Sequence, residues 1–124
     1  LSAWQEGDFR HVHDWLNERW ARTVRESVAG DADPFARFLQ GLAFAALAFH
    51  FAGEHNRESA ALFVEDGLST LARYPRSYAG IETAPILDAL SELQRVLEVP
   101  GTGETIPVLL SSRSALRFAR AVPA

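Results

Sequence analysis

Cysteine is absent from this chain of 124 residues. Without it the chain has no disulfide framework, no thiolate nucleophile and no thiolate metal site. The absence is compatible with the cytosol, although it does not prove that location. Residues 1–20 carry charges throughout and lack the apolar segment of a secretory signal peptide. We therefore expect a cytoplasmic protein.

Lysine is also absent, so all 12 basic residues are arginine, and the net charge is −4. A mildly acidic chain has no global attraction for phosphate backbones, which predicts that nucleic acid is not its partner. The densest basic cluster consists of Arg113, Arg117 and Arg120. A solvated or carboxylate-pairing face is the ordinary interpretation of such a cluster, and phosphate binding is the alternative.

A long uninterrupted apolar run is missing too, because Gly41–Phe49 is the longest and is too short to span a bilayer. It lies within residues 34–54, where apolar side chains point in nearly every direction of a helix. Such a helix must be surrounded, and here we expect other helices rather than lipid to surround it. Asp33 is a suitable N-cap, and Pro34 suits the first helical turn.

The remaining chain predicts an all-α fold, a single-domain bundle in which about four other helices surround the central buried helix at about 34–54. The bundle is expected to cover residues 1–98. We interpret residues 99–124 as an extended C-terminal tail that packs on the bundle or on a partner subunit, so a homo-oligomer is one expectation. Apolar spacing, caps and breaks place the other helices at about residues 1–6, 8–22, 57–72 and 83–97. Asn56 is the expected N-cap of the helix at 57–72, and Ala61 belongs to its expected core-facing stripe.

One outer face of the second helix carries His11, Asp14 and Glu18, at i, i+3 and i+7. One imidazole and two carboxylates are ligand types that suit a divalent metal. A solvated face with weak ion pairs to neighbouring arginines is the competing interpretation, and it is the usual one for a surface helix.

His13 points towards the core side of the same helix, with Asn17 one turn later. On the central helix, Gln40, His50 and Glu54 fall within an arc of about 80°. If the two faces meet, they enclose a small polar pocket, which would either satisfy its own hydrogen bonds or serve a ligand or a proton transfer. The sequence leaves both interpretations open.

Two blocks of sequence resemble a known family. Gly7-Asp-Phe-Arg-His-Val-His-Asp-Trp-Leu-Asn-Glu-Arg-Trp20 is similar to the signature helix of the family catalogued as domain of unknown function 309. Leu39-Gln-Gly-Leu-Ala-Phe-Ala-Ala-Leu-Ala-Phe-His50 resembles its second block. The resemblance covers about residues 4–97 and implies a small all-helical bacterial or archaeal protein without an established activity. The positions that carry over are His13, Asp14, Glu18, Trp20, Gln40, Gly41 and His50.

The chain also departs from the family pattern. His11 and Asn17 stand where the family usually has glutamate, and Phe44 replaces a second glutamine. If the family site were a carboxylate-rich metal site, this chain would have lost ligand charge at Asn17. The departures therefore favour a neutral hydrogen-bonded network over metal chemistry.

From these observations we expect a non-enzymatic binding or interaction module with a buried polar His/Gln site and no cofactor. Its partner would be a second copy, another protein or a small molecule. The alternative is a metal-assisted, hydrolase-like enzyme that uses His13 and His50 with a divalent metal. The candidate pocket comprises His13, Asp14, Asn17, Glu18, Trp20, Gln40, His50 and Glu54.

Overall fold

The computed structural model describes residues 9–98, and within them it is all-helical apart from one minimal hairpin. The four α-helices are α1 (Phe9–Glu26), α2 (Pro34–Gly53), α3 (Arg57–Leu71) and α4 (Ala84–Glu98). A 3₁₀ turn at Gly30–Ala32 precedes α2, and the antiparallel strands β1 (Ser77–Tyr78) and β2 (Ile81–Glu82) precede α4. The predicted helix at residues 1–6 and the tail at 99–124 lie outside the described residues.

The helix ends follow local capping chemistry. The Asp33 carboxylate accepts hydrogen bonds from the amides of Phe35 and Ala36 at 2.8 and 3.1 Å, and Pro34 is the first residue of α2. The Asn56 side chain accepts from the amide of Ser59 at 3.1 Å and starts α3. Both N-caps were expected from sequence, because a short polar side chain can satisfy the free amides of a first turn.

Helix α2 is the core helix, but the prediction that about four other helices surround it is wrong. It packs extensively on α1 and α3, whereas α4 packs mainly on α3 and touches α2 only slightly. One stripe of α2 faces outward, and its apolar members Phe44, Leu47 and Phe51 are half-buried. Phe63 of α3 covers part of that stripe, with ring centroids 6.1 Å from Phe44 and 5.7 Å from Phe51. The sequence predicted that a further helix covers this stripe, whereas the aromatic contacts of Phe63 cover part of it.

By length and composition alone, α2 would also be long and apolar enough to cross a membrane. Within the bundle, however, 61% of its most apolar window is buried. A helix that is hydrophobic nearly all round is expected in the core of a helical protein as well as in lipid.

Close approach between helices depends on two glycines. A Cβ atom on Gly41 of α2 would lie 2.8 Å from Leu71 Cδ2 and 2.9 Å from Thr70 Cγ2 of α3. On Gly67 of α3 it would lie 3.2 Å from Leu90 Cδ1 of α4. The core-facing stripe of α3 was expected to include Ala61. In the structure Ala61 is exposed and Gly67 is buried. The absence of side chains at these points lets α3 sit close to both neighbours.

The hairpin ties the end of α3 to the start of α2. Ala79 and Gly80 both have positive φ, which suits a two-residue turn between antiparallel strands. Tyr78 and Tyr74 pack on the buried ring of Phe38, with centroid distances of 4.8 and 5.0 Å. The Tyr74 hydroxyl donates to the Pro34 carbonyl at 2.6 Å. These contacts close one end of the bundle.

Candidate functional site

A polar concave site lies at that end of the bundle. It is an open cleft of about 340 Å³ between the second half of α1, the first turns of α2 and the last turn of α3. Its lining is mostly polar and includes Trp20 and Gln40, two of the residues expected to form a pocket. The full lining is Trp20, Asp31, Arg37, Gln40, Ser69, Thr70, Arg73 and Tyr74.

Local sequence explains why these groups meet. Arg37 and Gln40 are one turn apart on the outward stripe of α2, so their side chains lie side by side. Gly41, the next residue, lets Thr70 and Leu71 approach. Arg73 and Tyr74 follow the end of α3, where the hydroxyl bond to Pro34 holds Tyr74 against the start of α2. The cleft is therefore a product of the close contact between α2 and α3.

Two of the hydroxyls in the cleft already donate elsewhere. Ser69 donates to the carbonyl of Asp66 at 3.2 Å, and Tyr74 donates to Pro34. Burial raises the pKa of the Tyr74 phenol, with a further contribution from nearby Tyr78. A phenol with a raised pKa stays protonated at neutral pH, so Tyr74 is not a general base in this state.

The predicted inward-facing histidine, His13, lies away from this lining and is partly buried, with 24% of its side chain exposed. Its Nδ1 atom lies 3.2 Å from Oδ1 of Asp14, its neighbour in sequence. Asp14 also lies 3.9 Å from Arg10, and both of these side chains are well exposed. This is a local surface pairing along α1.

His50 forms a similar local pair on α2. Its Nε2 atom lies 3.5 Å from Oε1 of Glu54, one turn later, and its ring meets that of Phe51 at a centroid distance of 5.1 Å. The side chain of His50 is 18% exposed, whereas that of Glu54 is 62% exposed. Gln40 precedes His50 by ten residues, which is about 15 Å along a helix axis. The residues predicted to share one pocket therefore lie at opposite ends of α2, with Gln40 near the start and His50 and Glu54 near the end.

The other two candidates, Asn17 and Glu18, are exposed on α1. Glu18 lies 3.9 Å from Arg22, as expected for an i, i+4 pair on a solvated face. Within residues 9–98 no three His, Asp or Glu side chains come together as a metal site would require. Of the eight predicted residues, the described structure places Trp20 and Gln40 together in the cleft and leaves the others in local pairs or on the surface.

The arginines of the cleft, Arg37 and Arg73, and its hydroxyl groups were not among the site residues predicted from the sequence. One signal was present, since Arg37 stands one turn before Gln40 on the same face of α2. For Arg73 the sequence held no comparable signal, because its position depends on how the end of α3 meets α2.

Within residues 9–98, the structure is an all-α arrangement of four packed helices with a polar surface cleft. The chain is similar to an uncharacterized protein of Aquifex aeolicus (strain VF5), with 31% identity over 97 residues. That match covers 78% of this chain but only 27% of the Aquifex protein, so the chain spans about a quarter of its relative's length. No protein-family model matches the chain, and no solved structure matches it.

Proposed function

We propose that this chain is a non-enzymatic helical binding module of the domain of unknown function 309 family, and that its ligand binds in the cleft between α1, α2 and α3. One observation carries the proposal. The two sequence blocks that resemble the family contribute Trp20 and Gln40, and these residues line the same cleft from different helices. A polar concave site between helices is where a small ligand is expected to bind.

The cleft is better suited to binding than to catalysis. Its lining contains no histidine, and its one carboxylate is Asp31. Tyr74 is protonated at neutral pH and already donates to Pro34. General acid–base chemistry needs a group that can exchange a proton near neutral pH, within reach of a substrate.

The metal-assisted alternative has less support. It needs His13 and His50 close to one shared atom. Each instead has its nearest carboxylate on its own helix, and no hydrogen bond joins the two histidines within the described chain. We therefore retain the binding module as the proposal. A cytoplasmic location and self-association remain predictions from the sequence.

Binding in the cleft can be tested by nuclear magnetic resonance on the full 124-residue chain. A library of small polar compounds, with neutral, acidic and basic members, is titrated into ¹⁵N-labelled protein. We expect shifts to concentrate on the Trp20 indole, the Gln40 amide group and the backbone of Ser69–Tyr74. Shifts confined to other surfaces, or none at millimolar compound, would overturn the proposal.

Matched variants sharpen that test. Gln40→Ala is expected to weaken a cleft ligand about fivefold, because one hydrogen bond is worth about 1 kcal/mol. Gln94→Ala on α4 removes the same amide outside the cleft lining and should change affinity less than twofold. Equal losses in both variants would show that Gln40 does not contact the ligand.

A further inference from the structure

The charged groups of the cleft are unevenly matched. Arg37 on α2 and Arg73 after α3 bring two guanidinium groups to the lining, against the single carboxylate of Asp31. This local excess of positive charge contrasts with the net charge of −4 for the whole chain. The cleft is therefore a basic spot on an acidic protein.

Neither arginine has an ion-pair partner among residues 9–98. Three other arginines have partners, since Arg10 and Arg22 pair with carboxylates one turn away on α1 and Arg57 donates to the Leu97 carbonyl at 3.0 Å. The exposed Arg25, Arg76 and Arg95 resemble the cleft arginines in having no ion pair within the described residues. A carboxylate lies within 4 Å of Arg10 and of Arg22, whereas Asp31 is not within that distance of Arg37 or Arg73. The N–H groups of these two guanidinium groups therefore form no hydrogen bond or ion pair within residues 9–98.

Other donors in the cleft are also unengaged within the described range. The amide of Gln40, the indole N–H of Trp20 and the hydroxyl of Thr70 form no hydrogen bond there. The close contact of Thr70 Cγ2 with the position above Gly41 turns its methyl group towards α2. The cleft thus offers several donors and one charged acceptor.

We infer that the ligand of this cleft is a small organic anion, whose phosphate or carboxylate oxygens bind Arg37 and Arg73. This inference rests on the proposed function and adds the chemical class of the ligand. A planar guanidinium group matches two oxygens of such an anion, and a hydrogen bond between charged groups is stronger than a neutral one. Gln40 and Thr70 supply further donors, and the half-buried Trp20 supplies a flat apolar surface for the body of the ligand.

The test uses four probes that share one ring and differ in charge: phenyl phosphate, benzoate, neutral benzamide and cationic benzylamine. Each is titrated into the ¹⁵N-labelled full chain at low salt. We expect the two anions to shift the cleft resonances and to bind at least about tenfold more tightly than benzamide, as charged hydrogen bonds allow. Benzylamine should bind least, and raising the salt should weaken the anions alone.

Variants identify the groups responsible. Arg37→Gln and Arg73→Gln should each weaken phenyl phosphate about tenfold, whereas Arg95→Gln, on exposed α4 surface, should leave it within twofold. Asp31→Asn should strengthen binding severalfold because it removes a like charge, and Asp88→Asn on α4 should not. All five positions are exposed, and unchanged melting temperatures would show that the variants fold.

The outcomes separate the two proposals. If benzamide or benzylamine binds in the cleft as tightly as the anions, the ligand is not an anion, and the inference fails while the binding module stands. If neither these probes nor the broader polar library shifts the cleft, both proposals fail. If anions bind but the two arginine variants are unaffected, the charged contacts have been assigned to the wrong residues and the inference is overturned.

Discussion

The two ends of α2 treat their polar groups differently. Near the C-terminal end, the Nε2 atom of His50 lies 3.5 Å from Oε1 of Glu54, the residue that follows α2. Near the N-terminal end, Arg37 and Gln40 have no such partner in the described chain and face a cleft shared with α1 and α3. A polar group that pairs with a neighbouring residue has a structural role. A polar group without a partner in a concave surface is available to bind a ligand.

The largest effects are expected from removing the buried aromatic rings beneath the two ends of α2. Phe38 is fully buried under Tyr74 and Tyr78, and Phe49 packs on Phe9 with ring centroids 5.4 Å apart. Phe38→Ala and Phe49→Ala should each lower the free energy of unfolding by about 3–5 kcal/mol, measured by denaturant titration.

Only Phe38→Ala should also abolish ligand shifts in the cleft, because Tyr74 loses its support. A stabilising osmolyte is added for this measurement, because it favours the folded state of both variants. Loss of cleft binding in the folded Phe49→Ala variant would show that the two ends are not independent.

Gly41→Ala tests the close contact that forms the cleft. The new methyl group would lie 2.8 Å from Leu71 Cδ2, and Leu71 is fully buried and cannot easily move. We expect the free energy of unfolding to fall by about 1–2 kcal/mol, as overpacking outweighs the gain in helix propensity.

Gly53→Ala is the control at the opposite end of α2, since no atom lies within 4 Å of the added Cβ. It should be neutral, or stabilising by up to about 1 kcal/mol. A Gly41→Ala protein as stable as this control would show that α3 can shift without cost.

Tyr74→Phe removes the hydroxyl that fastens the hairpin region to α2. Losing the bond to Pro34 should cost about 0.5–1.5 kcal/mol of unfolding free energy. The raised pKa of Tyr74 also predicts a pH effect, because folding disfavours the ionised phenol. Stability should be fully present below the unfolded pKa of 10.0 and should fall as pH rises above it towards the folded pKa.

In Tyr74→Phe, the loss of stability at alkaline pH that is due to ionisation of the Tyr74 phenol should disappear. Tyr78→Phe is the control for the hydrogen bond, since the Tyr78 hydroxyl forms none within residues 9–98. It should keep most of the alkaline decline, because burial is the largest cause of the raised pKa of Tyr74 and Tyr78 contributes less. An identical alkaline decline in Tyr74→Phe and the unaltered protein would contradict the assignment.

Glu54→Gln should have the smallest effect. The pair with His50 is i, i+4 and more than half of the Glu54 side chain is exposed, so its loss should change the free energy of unfolding by less than about 0.5 kcal/mol. Affinity in the cleft should stay the same. A tenfold loss of ligand affinity in this variant would show that the His50 end of α2 contributes to ligand binding.

What the sequence predicted well was set by neighbouring residues. Asp33 and Asn56 cap the helices that they precede, because capping involves amides only two or three residues away. The end of α1 was placed four residues too early, because residues 23–26 are mostly polar but contain no helix breaker. Polarity alone does not end a helix.

The candidate site was predicted less well, for a related reason. Trp20 and Gln40 were expected to join His13 and His50, since a helical wheel gives direction but not depth along the axis. The wheel could not show that ten residues separate Gln40 from His50 by about 15 Å. Nor could it show that Arg73 and Arg37 line the same cleft, because that depends on the close approach at Gly41.

The attachment of α4 has a consequence for how the domain opens. Because α4 packs chiefly on α3, through Gly67 and Leu90, and its end is held by the Arg57 bond to Leu97, it can detach while α1, α2 and α3 stay packed. Native-state hydrogen exchange would then reveal two cooperative units of different stability. The amides of α4 should exchange first, and the cleft belongs to the slower unit, so a ligand there should slow α1–α3 far more than α4.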